Sequence, residues 1–255
     1  MIFALLTLWH SWLVVRPRRL LYLLPLPIAT LLEVVGYIAR LFSSKKSPYN
    51  ILYYVVQYFF IVVAPVILAV AIYVSLSRMI ALVGRQYSPV LAPKAILAIF
   101  IVCDVIATIT QIAGAAMIGA ASSKYKSTDT ANNILLVGLA FQVASFAVFL
   151  ALLTVFIVRT RGVARAHPGL RKFSAVLFAA ALLVWIRTIF RLAETAEGLN
   201  GYLSTHEVIF GVLEFAPIVV AIALLGVFHP GKYVEPARHK DSVQLEEVET
   251  RDVHV

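Results

Sequence analysis

Charge is scarce in this sequence. Only 14% of its 255 residues are Asp, Glu, Lys or Arg, against 61% hydrophobic. A water-soluble domain carries about 25% charged residues, so a soluble globular protein is excluded. Cysteine is rarer still: Cys103 stands alone inside an apolar run, which rules out an intrachain disulfide. No N-x-S/T glycosylation acceptor occurs. No lysine falls within an expected span, so a retinal Schiff base has no attachment point. Of the histidines at 10, 167, 206, 229, 239 and 254, only His10 falls in an apolar segment. Seven-helix zinc hydrolases need His and carboxylate ligands inside the spans, so neither a metal nor a cofactor is expected. The D-R-Y and N-P-x-x-Y signatures of G-protein-coupled receptors are missing. G-V-F-H-P-G-K at Gly226–Lys232 nearly spells a phosphate-binding loop, but Tyr233 replaces the required Ser or Thr. No nucleotide partner follows from it, and no catalytic constellation points to an enzyme.

What is present is a series of apolar runs near or above the ~20 residues that cross a bilayer. The expected fold class is all-α: a polytopic seven-transmembrane-helix bundle. Met1–Val15 reads as a first helix, short or trimmed, since a signal peptide would need a basic start. The further spans are expected at Leu20–Phe42, about Tyr49–Ser77, Ala95–Ala121, Asn133–Val158, Phe173 to about Thr195, and Glu207–Phe228. Pro65 falls inside the third span as an expected kink, and Pro217 falls inside the seventh. Residues 1–228 thus form one transmembrane domain. Residues 229–255 are polar and aperiodic, and read as a disordered cytoplasmic tail. The net charge of +9 does not point to nucleic acid, because the basic residues sit in short connections. Loops one, three and five hold Arg16, Arg18, Arg19, Arg78, Arg85, Lys94, Arg159, Arg161, Arg165, Arg171 and Lys172; loops two and four hold only Lys45, Lys46, Lys124 and Lys126, and loop six holds none. Eleven against four places the odd loops and the C-terminus in the cytoplasm and the N-terminus outside.

The few ionisable groups at lipid depth are the functional candidates, because a charge at the bilayer centre costs at least about 2.5–3.5 kcal/mol. Arg187, Arg191 and Glu194 share one face of the sixth span, at i, i+4 and i+7. Glu207 and Glu214 are seven apart on the seventh, and S-T-H-E at Ser204–Glu207 also fits a capping box. Glu214 lies two turns inside an apolar helix. Glu33, Gly36, Tyr37 and Arg40 share a face of the second span; Arg40 either pairs or snorkels to the interface. Asp104 and Gln111 stand seven apart on the fourth span. Asp104 either pairs with Arg187 or Arg191 or forms a ligand or proton site. Gln57 and Gln142 either bond between helices, at about 0.6 kcal/mol each, or line a cavity. Glu33, Asp104, Glu194 and Glu214 outnumber Arg187 and Arg191, so a proton or a cationic ligand would balance the interior.

E-V-V-G-Y-I-A-R at Glu33–Arg40, Q-Y-F-F-I-V-V-A-P at Gln57–Pro65, D-V-I-A-T-I-T-Q-I-A-G at Asp104–Gly114, G-L-A-F-Q at Gly138–Gln142, R-T-I-F-R-L-A-E at Arg187–Glu194 and the closing H-P-G at His229–Gly231 together resemble the fungal lipid-translocating exporter family, which includes aminocholesterol-resistance and sphingoid long-chain-base exporter-like proteins. The family's longer outer N-terminal segment is not matched here. The resemblance implies seven spans, an outside N-terminus, and transport or sensing of lipids and lipophilic drugs. The expected function is therefore multi-pass transport or export, at the plasma membrane, of a cationic amphipathic lipid such as a sphingoid base or a sterol-like amine. Membrane lipids are the expected partners. The alternative is a receptor-like lipid sensor that carries nothing.

Overall fold

Backbone amides in a bilayer find no water, so a spanning segment must satisfy them within itself. The long apolar runs accordingly form helices. The structure, a computed structural model, describes residues 1–15, 21–46, 51–87, 92–123, 127–166, 168–198, 203 and 207–228. Helix α1 spans Ile2–Val15, α2 Pro25–Lys46, α3 Ile51–Val83, α4 Pro93–Ser123, α5 Asp129–Arg159, α6 Arg161–Ala166 and α7 Pro168–Glu197. The last span is α8, Glu207–Phe210, a π-helical turn over Gly211–Phe215, and α9, Ala216–Val227. No strand occurs among the described residues. Six of these segments are long and apolar enough to cross a membrane, and α1 is a shorter apolar helix. The chain is an all-α, multi-pass integral membrane protein.

The boundaries have local causes. Pro25, Pro93 and Pro168 each open a helix, where their missing N–H is not needed. A short 3-10 turn over Leu21–Leu23 precedes Pro25, so the second span starts later than the apolar run does. Helix α3 runs six residues past the expected Ser77 because Met79–Val83 stay apolar beyond Arg78. Both α3 and α7 stop at a glycine with positive φ: Gly84 at 112° and Gly198 at 81°, a conformation other residues resist. The short α6 inside loop five was not expected. The proposed tail beyond Phe228, Ser204 with its cap, and the basic residues of loop one lie outside the described residues.

The helices close into a ring. Each of α1 to α5 packs on the next, α5 on α7, α7 on α9, and α9 back on α1, while α3 also touches α7 across the middle. Short connections make sequence neighbours spatial neighbours. Helix α1, although too short by itself at ~1.5 Å per residue, is tied in twice. His10 Nε2 lies 3.1 Å from the Ile222 carbonyl oxygen, and the Trp9 ring fills the space beside Gly226, 2.8 Å from where a Cβ would stand. Outward positions such as Leu8, Ile109 and Val137 are more than 60% exposed, as lipid-facing side chains are. The small-residue stretch of α4 permits close packing on α5: a Cβ at Gly114 would stand 2.8 Å from the Leu135 nitrogen. Because that neighbour is backbone, Gly114→Val should force the helices apart and lower the stability by about 1–3 kcal/mol, read by unfolding in detergent.

Candidate functional site

Two prolines prepare the centre of the bundle. Within α3, Pro65 has no N–H to offer the carbonyl of Ile61, four residues earlier. That carbonyl instead accepts a hydrogen bond from Arg187 Nη2 of α7 at 2.7 Å. In the last span, Pro217 cannot bond the carbonyl of Leu213 and its ring would crowd it. The helix takes in one extra residue there: the Ala216 N–H reaches back to the Gly211 carbonyl, an i to i−5 step of the kind often found at functional sites. Glu214 lies inside this turn and is 1% exposed.

Around these two irregularities the charges converge. Arg187 Nη2 also donates to Glu214 Oε1 at 2.9 Å. Arg191 Nη1 donates to Glu194 Oε2 at 2.9 Å, one turn along α7, while its Nε stands 3.7 Å from Glu214 Oε2. The Arg191 guanidinium lies 5.0 Å above the centre of the Tyr58 ring, a cation–π arrangement. Glu33 of α2 is 2% exposed and lies within electrostatic reach of Arg187, Glu214 and Arg191. Gly36, one turn along from Glu33, leaves room for α3: a Cβ there would meet Ile61 Cγ1 at 3.0 Å. Tyr37 stacks on Phe3 at 5.4 Å and meets Phe215 edge-on at 5.5 Å, so α1, α2 and the π turn share one aromatic wall. Gln57 lies one turn before Ile61 on α3, and its Oε1 has no hydrogen-bond partner among the described residues. Nor does Glu214 Oε2 accept a hydrogen bond among them. The cluster thus holds two guanidinium groups and three carboxylates, with an open acceptor at its most buried acid.

Asp104 is not part of this cluster. Its Oδ2 accepts from the Tyr73 hydroxyl of α3 at 2.7 Å, and Oδ1 has no partner among the described residues. Pairing with Arg187 or Arg191, one of the two sequence expectations, is therefore replaced by a neutral donor on α3. Phe100 and Phe149 pack on the Tyr73 ring, enclosing a separate acid site. Gln111, seven residues from Asp104, faces α5 instead: its Nε2 donates to Gln142 Oε1 at 2.8 Å. Those two glutamines bond each other between helices. Arg40 is held across helices, but by an aromatic ring, 3.7 Å over Phe210. The side chain of Glu207 lies outside the described residues, and the π turn breaks the seven-residue register that put it on one face with Glu214. Sequence reasoning missed Tyr73, His10 and the Ile61 carbonyl. The signal for the last was Pro65, which marks an unfilled acceptor four residues before it.

This architecture defines a polytopic helical membrane protein whose interior charges, Asp104 apart, are gathered where α2, α3, α7 and the last span meet. The chain belongs to the family described as RTA1 like protein, whose model matches residues 26–237, in agreement with the lipid-translocating exporter resemblance. Among curated proteins it is similar to the sphingoid long-chain base transporter RSB1 of Saccharomyces cerevisiae (strain Lalvin EC1118 / Prise de mousse), 30% identical over 237 residues, covering 79% of this chain and 62% of that protein. It is also similar to protein RTM1 of Saccharomyces cerevisiae, 28% identical over 214 residues and covering 80% of this chain and 67% of that one. A third relative is the protoporphyrin uptake protein 1 of Saccharomyces cerevisiae (strain ATCC 204508 / S288c), 29% identical over 208 residues with the same coverages of 80% and 67%. The chain therefore spans under two thirds of the length of the sphingoid-base transporter it matches. No solved structure matches it.

Proposed function

We propose that this chain transports a cationic amphipathic lipid, and that the Glu33–Arg187–Arg191–Glu194–Glu214 cluster receives the headgroup. The observation that carries the reading is Glu214, a carboxylate 1% exposed at lipid depth whose Oε2 accepts no hydrogen bond among the described residues. An ammonium group is a donor with no acceptor of its own, so it complements that oxygen. The excess of one carboxylate over the two guanidiniums favours a positive guest. Arg187 and Arg191 hold the acid in place, Tyr37 and Gln57 lie beside the cluster on α2 and α3, and the surrounding apolar side chains suit an alkyl tail. The name of one relative, a sphingoid long-chain base transporter, supports a sphingoid base over a sterol-like amine as cargo. Export of such compounds would give resistance to them. The distribution of basic residues supports an outside N-terminus and a cytoplasmic C-terminus; the plasma membrane is the proposed location.

Asp104, Gln111 and Gln142 take a supporting place in this scheme, because their partners are one another or Tyr73. The test is reconstitution. Proteoliposomes holding the purified full chain should move a labelled long-chain base across the bilayer faster than protein-free liposomes. Binding of the same lipid without movement would make the chain a sensor and end the transport reading.

A further inference from the structure

The connections at one end of the bundle carry cations and no acids. Glu33 is the only acidic residue among the first 103, and none occurs between Asp129 and Glu194. Loops one, three and five are therefore purely basic. At this end a cavity of about 860 Å3 opens between the 3-10 turn before α2, the last turns of α3 and the start of α4, and its lining includes Tyr22, Ser77, Arg78 and Lys94. Its size falls within the range of ligand pockets. Arg78 lies with its guanidinium 4.6 Å over the Tyr22 ring, which fixes the cation at the cavity wall. No carboxylate pairs with Arg78 or Lys94 among the described residues. Apart from these polar groups, the cavity is walled by apolar side chains such as Val74 and Leu97.

We propose that this cavity binds the phosphate headgroup of an anionic phospholipid. Arg78 and Lys94 neutralise the phosphate, the Ser77 hydroxyl donates to it, and the apolar wall takes the first part of an acyl chain. Position favours a lipid over free phosphate as the source. The cavity sits at helix ends, where headgroups lie and where tyrosines and basic residues collect, and its mostly apolar wall has nothing to offer an inorganic ion. The site is distinct from the central cluster and does not depend on what that cluster carries.

The test is native mass spectrometry of the full chain in detergent, titrated with phosphatidic acid, with phosphatidylcholine and with sodium phosphate. Phosphatidic acid should bind and phosphatidylcholine should not, and millimolar sodium phosphate should fail to displace the lipid. Each basic side chain near an anionic headgroup contributes on the order of fivefold in affinity, so Arg78→Gln with Lys94→Gln should weaken binding by roughly thirtyfold. Lys172→Gln, at a basic residue near the start of α7 outside the cavity lining, should leave binding unchanged. Arg78→Lys keeps the charge and should retain binding, and Lys94→Gln alone still reads the site if Arg78→Gln does not fold. Parent affinity in the double variant, equal loss in Lys172→Gln, or equal binding of phosphatidylcholine would overturn the site. Displacement by sodium phosphate would overturn its assignment to a lipid.

Discussion

Arg187→Met should lower the stability of this protein by about 3–5 kcal/mol, the cost of removing one partner from a buried ion pair. The side chain it removes is 6% exposed and serves two acceptors, Glu214 Oε1 and the Ile61 carbonyl. Methionine serves neither. Arg191, with its Nε 3.7 Å from Glu214 and its Nη1 committed to Glu194, is placed to recover only part of the loss. The carbonyl left bare by Pro65 would have no donor at all from α7. Unfolding in detergent, followed by helical signal, reads the effect. A double variant, Arg187→Gln with Glu214→Gln, should unfold close to the parent, because replacing both charges of a buried pair with neutral groups is often without net cost. Parent-like stability in Arg187→Met would mean that the pair does not hold α7 to the last span.

Glu214→Gln should cut the movement of a protonated long-chain base by roughly ten- to a hundredfold, the worth of one charge-assisted hydrogen bond. The amide keeps the shape and one acceptor oxygen but loses the negative charge. The same variant should have little effect on an N-acetylated long-chain base, which has no positive charge to lose a partner. That contrast separates a headgroup site from a damaged fold, since damage would slow both cargoes alike. Flux of each lipid in proteoliposomes, parent beside variant, is the measurement.

The elements of this bundle were legible because lipid leaves a chain few choices. Apolar runs longer than a bilayer is thick become helices, and the rare charges within them must find one another. Arg187, Arg191, Glu194 and Glu214 could thus be named as a group before any coordinate was known. Their exact pairing could not, because it depends on how far each helix is turned. The π turn over Gly211–Phe215 shifts every side chain before Ala216 out of the expected 3.6-residue pattern. Asp104 shows the other limit. Its position on α4 was plain, but nothing in the pattern says how α3 and α4 are registered. A tyrosine 31 residues away, in a different helix, proved to be its partner. Gln111 and Gln142, also 31 apart, met as interhelical hydrogen bonding would have it. Proline was the underused signal. Pro65 reads as a kink and Pro217 as a proline inside a span, yet each also announces a carbonyl without its usual donor. One of those carbonyls anchors Arg187.

The central claim is that the charges joining α2, α3, α7 and the last span receive the cargo as well as hold the helices. The measurement that tests it most directly is flux of a labelled long-chain base in proteoliposomes carrying the double variant Arg187→Gln with Glu214→Gln, once that variant is shown to unfold like the parent. Flux at the rate of protein-free liposomes is the predicted result. Flux at the parent rate from a stable, neutral centre would contradict the claim and reduce the cluster to a structural clasp.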